Sequence, residues 1–275
     1  MDDDLDHFAR LVEALRPYWG HLVIVGGWAN RLYRYRDDAH VPPHPPLFTT
    51  DADIAIPTTS ALPSDLRERL VASGFVEEFE GDDTPPVTHY RLGEERSGFY
   101  AEFLIPKVGG GGRLDKRSQH TAEIGGVVVQ KLRYLEILLI EPWRIKLHPG
   151  VIRGLVKPIV VRVPNAVSYI AQKLLIAPKR RSADRAKDVL YVHDTIELLG
   201  ATLSALGVLW RDTIRPAMPQ KTAKTITTLA TGSFSRVTDS IRDARAAAAD
   251  AGRVISVEEI RARIELGLRE IFAEE

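Results

Sequence analysis

Apolar residues at the start of the chain recur at helical spacing. Leu5, Phe8, Leu11, Val12 and Leu15 share one face, which predicts an amphipathic helix from Asp4 to about Trp19, closed by Pro17 and Gly20. The pattern then changes. His21-Leu22-Val23-Ile24-Val25 is a compact run that reads as a strand and ends in Gly26-Gly27. Helical spacing returns from Trp28 to about Tyr35, so a strand, a glycine turn and a helix follow one another. Four prolines between Val41 and Pro46 exclude regular structure there and predict a loop. Beyond it, Asp51, Asp53 and Ala55 alternate with Ala52, Ile54 and Ile56, the pattern of a strand that Pro57 stops.

The same reading continues downstream. Leu62 to Ser73 is helical in pattern and ended by Gly74, and Phe75 to Phe79 with His89 to Leu92 reads as two strands around an acidic, proline-containing turn. Tyr100 to Ile105 is a further strand, closed by Pro106. Gly109 to Gly112 reads as a flexible loop, and Val127 to Val129, Ile137 to Ile140 and Ile159 to Val163 as short apolar strands. After Pro164 only helical spacing remains, in Val167 to Ile176, Ser182 to Leu199 and several stretches from Thr202 onward. Ser256 with Glu259 three residues later has the form of a capping box opening a last helix through about Phe272. The expected fold class is α+β: a mixed sheet flanked by helices over residues 1–165, then a C-terminal helical bundle over residues 166–275.

Composition narrows the function classes. Over 275 residues, 44% hydrophobic and 27% charged side chains describe an ordinary folded protein rather than a disordered or fibrous one. Formal net charge is zero, so no global field draws the chain to nucleic acid or to a membrane. The absence of cysteine excludes disulfides, thiol catalysis and thiolate metal sites. MDDDLD is no secretory leader, and no apolar run is long enough to span a bilayer, so a soluble cytoplasmic protein is expected.

Two features carry candidate chemistry. A glycine pair where a strand turns into a helix lets backbone amides approach an anion such as phosphate. Asp51 and Asp53 leave one strand face side by side, where a hard cation such as Mg²⁺ would relieve their repulsion. Glu102, inside the otherwise apolar Ala101-Glu102-Phe103-Leu104-Ile105, is a third acid; on a strand beside Asp51 it would complete a two-metal phosphoryl-transfer site. Each feature has an ordinary alternative: plain turn chemistry, a solvated strand edge, a half-exposed sheet face. Their order along the chain is what argues for chemistry. Lys179-Arg180-Arg181 with Arg185 and Lys187 is the densest basic group, a candidate grip on an RNA backbone or simply a solvated turn. Gly109 to Gly112 lacks the lysine and hydroxyl residue of a P-loop. His40 and His44 have helical metal-pair spacing, but Pro42 and Pro43 forbid that helix, which argues against zinc.

At these residues the sequence resembles the nucleotidyltransferase fold of the polymerase-beta type superfamily: a Gly-Gly turn, Asp-x-Asp, then a later third acid. More narrowly, Val25-Gly26-Gly27-Trp28-Ala29, Phe48-Thr49-Thr50-Asp51-Ala52-Asp53-Ile54-Ala55-Ile56 and Glu102-Phe103-Leu104-Ile105-Pro106 are similar to a bacterial nucleotidyltransferase-like family. That family is related to abortive-infection and toxin nucleotidyltransferases. The likeness extends through Val161-Arg162-Val163-Pro164, Ala171-Gln172-Lys173-Leu174-Leu175 and Lys187-Asp188, covering roughly residues 20 to 195. It implies that Gly26, Gly27 and Thr50 hold a nucleotide, that Asp51, Asp53 and Glu102 bind Mg²⁺ or Mn²⁺, and that Glu102 acts as base. It also implies that Lys173 is a point charge on the triphosphate, with Asp188 orienting it. The chain departs from the family in two ways: the link from Gly27 to Asp51 is long and proline-rich, and the third acid is Glu where many relatives use Asp. The implied activity is metal-dependent transfer of NMP from an NTP such as ATP to a hydroxyl of tRNA or protein, releasing pyrophosphate. A toxin of a toxin-antitoxin or phage-defence pair, with an antitoxin partner, is one setting for it. The competing expectation is a catalytically inactive nucleotide-sensing or protein-binding module of the same fold.

Overall fold

The computed structural model describes residues 3–58, 62–81, 85–93, 98–107 and 120–273, so the Gly109 to Gly112 loop lies outside the described residues. Two compact units emerge: Met1–Ala29 with Phe48–Pro164, and Asn30–Leu47 with Asn165–Glu275.

In the first unit, α1 (Asp3–Ala14) buries the apolar stripe of its sequence, with Phe8, Leu11 and Val12 inaccessible to solvent. It stops short of Trp19 because Pro17 cannot continue an α-helical ladder, and Arg16–Tyr18 forms a 3-10 turn instead. Phe8 stacks on Trp28 with ring centroids 3.9 Å apart, and Phe99 meets Trp28 edge-on at 5.8 Å. These rings pin helix to sheet.

The main sheet has seven strands among the described residues. β1 (Val23–Ile24) pairs antiparallel with β2 (Asp51–Ala55), and β2 runs parallel to β5 (Phe99–Pro106). The other edge of β5 is divided. Its first half pairs antiparallel with β4 (Val87–Leu92), itself paired with β3 (Val76–Glu80). Its second half, from Phe103, pairs parallel with β7 (Val127–Leu132), which carries β6 (Thr121–Ile124). Glu102 sits where these two pairings meet. α3 (Leu66–Ala72) precedes β3, and β8 (Trp143–Leu147) with β9 (Ile159–Val163) forms a separate antiparallel pair.

One expected strand is a helix. Of Ile137 to Ile140, the first two residues close α4 (Leu135–Leu138) and the last two form the turn after it; Leu135 and Leu138 pack on Val23, Val25, Ala55 and Leu104. A run of four consecutive apolar residues carries no period that distinguishes strand from helix. β6 and β8 go beyond the sequence reading, although Arg144 and Lys146 alternate with buried Ile145 and Leu147 as a strand should.

The helix α2 (Gly26–Leu32) leads out of the glycine turn. In the second unit, α5 (Ala166–Ile176), α6 (Ser182–Leu198), α7 (Leu203–Leu209), α8 (Gln220–Gly232), α9 (Asp239–Asp250) and α10 (Val257–Phe272) form the helical bundle that the sequence predicts. The Asn165 side chain caps α5 by accepting from Ser168 N at 2.8 Å, and Ser256 with Glu259 forms the expected capping box of α10. Residues 30–47 join this bundle: Asn30 Nδ2 donates to Thr195 Oγ1 at 2.9 Å, and His40 N to Leu198 O at 2.7 Å. A mixed sheet flanked by helices, followed by C-terminal helices, is thus the fold. No single helix among the described residues is long and apolar enough to cross a membrane.

Candidate active site

Asp51 and Asp53 stand two positions apart on β2 and therefore share a face of the sheet. The parallel register sets Asp51 beside Tyr100 and Asp53 beside Glu102 on β5. Paired residues on neighbouring strands lie ~4.8 Å apart with side chains on the same side, so the three acids and the Tyr100 ring occupy one surface. All four are half-buried, while Ala52, Ile54, Ala101 and Phe103 between them are buried on the opposite face. Thr50, at the mouth of β2, accepts from Tyr100 N at 3.0 Å through its carbonyl, and Thr49 Oγ1 donates to Asp51 Oδ1.

Glu102 is held from both strands that diverge beside it. His89 of β4 places Nε2 3.2 Å from Oε1, and Gln130 of β7 donates to Oε2 at 2.9 Å. Burial pushes the Glu102 carboxyl above its ordinary value of 4.5; His89 opposes that rise and the charge of Asp51 adds to it. The Tyr100 hydroxyl is also pushed up, first by burial and then by Asp51, Glu102 and Asp53. All three carboxylates therefore act on one phenol.

A raised carboxyl has a defined effect on stability. Because Glu102 binds its proton more tightly folded than unfolded, it favours the fold at acid pH, and that contribution is lost as pH rises from about 4.5 through the raised value. Denaturant unfolding of metal-free protein across this window should show Glu102→Gln gaining stability over the unaltered protein as pH rises. Equal pH slopes for the two would contradict the burial of this charge.

The donor set suits a hard divalent ion: three carboxylates, acceptors only when ionised, crowded enough that Asp51 helps raise Glu102. They share a face without closing around one point. Among the described residues, the group that brings three ligating atoms within 4.8 Å of one another is instead His44, Asp194 and Glu197 of the second unit. There guanidinium groups already supply the positive charge. Arg253 Nη1 donates to both Asp194 oxygens at 2.9 Å, Arg263 to Glu197 Oε1, and His44 Nε2 lies 2.9 Å from Glu197 Oε2. Burial alone would raise Asp194; the His193 hydrogen bond and the Arg253 charge hold it below its ordinary 3.8. This cluster is an ion-pair network that straps the proline-rich loop to α6.

The glycine turn lies against the acids. Val25 N donates to Asp53 O at 2.9 Å, and Gly26 adopts φ +63°. A Cβ on Gly26 would stand 2.0 Å from Asp53 Oδ2, so both backbone angle and contact require glycine. Gly27 follows in the first turn of α2. Gly26→Ala should lower the thermal midpoint by roughly 2–4 °C, the effect of a left-handed penalty of about 1 kcal/mol in a chain of this size, and should displace the Asp53 carboxylate. An unchanged midpoint by circular dichroism together with unchanged Mn²⁺ affinity by calorimetry would contradict the contact.

In the second unit the structure brings Lys173 and Asp188 together. Lys173 Nζ lies 2.5 Å from Asp188 Oδ1, both side chains being 6% exposed, and Arg180 Nε reaches the other oxygen at 3.1 Å. The ammonium also sits over the rings of Tyr169 and Tyr191, at 5.4 and 5.1 Å. Beside the pair is a cavity of ≈ 410 Å³ with apolar walls that include Leu174, Val189, Val192 and Phe234. Of the basic group, Arg180 is thus engaged with Asp188, Arg185 donates to Arg180 O at 3.0 Å, and Arg181 extends into solvent near Asp184.

Sequence reasoning misses His89, Gln130 and Tyr100. Period-two alternation flags Tyr100, two positions before Glu102. His89 and Gln130 have no local signal, because only the pairing of β4 and β7 with β5 carries them to Glu102.

No match to the chain is found among curated proteins or among solved structures. A family model described as nucleotidyltransferase matches residues 5–214, a span that contains the glycine turn, the three acids and the Lys173–Asp188 pair. With well over half of its length matched, and with Asp53 registered beside Glu102 against the glycine turn, the chain belongs to the nucleotidyltransferase family.

Proposed function

We propose that the protein is a metal-dependent nucleotidyltransferase that moves NMP from an NTP to a hydroxyl acceptor. The observation that carries this reading is the register of β2 and β5, which sets Asp53 beside Glu102 with Asp51 on the same face. A divalent ion such as Mg²⁺ held by these acids would supply activation of the attacking hydroxyl and neutralisation of phosphate charge. The chain's own residues do the rest. The glycine turn presents its backbone to the triphosphate without a side chain of its own in the way. The acceptor oxygen forms a bond to the α-phosphorus as the bond to the bridging oxygen breaks; pyrophosphate leaves, and Glu102 takes the hydroxyl proton. A carboxyl raised above 4.5 is better matched to that proton than an ordinary one.

An RNA acceptor is favoured by the basic group at the start of α6, of which Arg181 is 90% exposed. In that setting the protein acts as a toxin that modifies tRNA and is restrained by an antitoxin partner. Incubation with α-labelled NTPs, Mn²⁺ and either total RNA or cell lysate tests the reaction. Label should pass to a macromolecule and vanish on adding EDTA. NTP held in calorimetry with no transfer to any acceptor would leave a nucleotide-binding module instead. Growth arrest on expression, relieved by Asp51→Ala, is the outcome that the toxin setting requires.

A further inference from the structure

The fork of the main sheet opens at Glu102. β4 pairs with β5 as far as Ala101, and β7 takes over at Phe103. Between the two pairings each diverging strand sends one side chain to the same carboxylate, Gln130 donating to Oε2 and His89 placing Nε2 3.2 Å from Oε1. We propose that His89 and Gln130 are positioning residues for Glu102, fixing its carboxylate beside Asp53 so that a divalent ion meets a set third ligand.

Three observations support this beyond the contacts themselves. His89 falls opposite Glu102 in the antiparallel register that pairs Tyr90 with Ala101, so its reach to Oε1 follows from the backbone. The His89 ring is itself held, stacked on Tyr100 with centroids 5.4 Å apart and an interplanar angle of 26°. Gln130 pairs with Leu104, two positions beyond Glu102, and therefore shares its face. An added methylene makes glutamate longer and freer in rotation than aspartate, so a glutamate ligand gains most from being anchored at both oxygens. Each oxygen keeps a lone pair for a cation after accepting one hydrogen bond.

This inference rests on the metal-dependent reading above, and the two can fail separately. Mn²⁺ binding without nucleotide, measured by calorimetry, is the readout, with thermal midpoint recorded for every variant. Gln130→Leu removes a donor at similar volume; His89→Phe removes a donor and keeps a ring against Tyr100. Each should weaken Mn²⁺ binding about tenfold or more, the range typical of lost hydrogen-bond partners of a metal ligand. His89→Gln, which restores a donor without the ring, should recover part of the affinity. A loss that accompanies collapse of the midpoint is separated from positioning by that rescue: no recovery in His89→Gln at a native midpoint overturns the proposal. Unchanged or tighter Mn²⁺ binding in Gln130→Leu and His89→Phe, with loss in Asp51→Asn, overturns the proposal alone. No Mn²⁺ binding by the unaltered protein overturns both.

Discussion

Asp53→Asn should cut NMP transfer by about three orders of magnitude while leaving the protein folded. The substitution keeps the volume and shape of the side chain packed against Gly26 and removes only its charge. A metal ligand contributes several kcal/mol to stabilising charge in the transition state, and about 4 kcal/mol corresponds to a factor of about 10³. Because the glycine turn is untouched, NTP binding should change far less than turnover, so the loss falls on kcat. Single-turnover transfer of labelled NMP, compared with nucleotide affinity in the same variant, measures both. Asp184→Asn, on the exposed start of α6, should behave like the unaltered protein. Transfer within tenfold of normal in Asp53→Asn would remove this residue from the chemistry.

The largest effect on stability is expected at Asp188. Deleting one partner of a buried ion pair costs about 3–5 kcal/mol, because the other charge is left without an answer in a dry site. Asp188→Ala leaves the buried Lys173 ammonium over the rings of Tyr169 and Tyr191 without its carboxylate. Lys173→Met is milder, since Asp188 keeps Arg180, whose side chain is 42% exposed and hydrated. The double variant Lys173→Met/Asp188→Leu should recover most of the loss by removing both charges. Urea unfolding of the three variants gives the comparison. Equal losses in the two single variants would show that Arg180 contributes nothing to holding Asp188.

The sequence displays those parts of the fold that depend on neighbours along the chain. Alternation marks β2, the run Ile159 to Val163 is β9 residue for residue, and Ser256 with Glu259 opens α10 where the capping box places it. Side-by-side placement of Asp51 and Asp53 needs only the period of a strand. Placement of Glu102 beside Asp53 needs the parallel pairing of β2 with β5, about fifty residues apart, which the family resemblance supplies and the local pattern does not. His89 and Gln130 arrive by two further pairings and leave no local mark. Ile137 to Ile140 shows the opposite limit: four consecutive apolar residues leave no period that separates strand from helix.

Residues 30–47 belong with helices that are made much later. The carbonyl of Pro45 is bound by Arg253, 208 residues further on, and His44 by Glu197, 153 residues further on. As the chain leaves the ribosome, this stretch emerges while its partners are still unmade. Pro42, Pro43, Pro45 and Pro46 deny it the amide hydrogens that a helix or a ladder would use. These contacts can therefore form only after Glu197 and Arg253 have been synthesised.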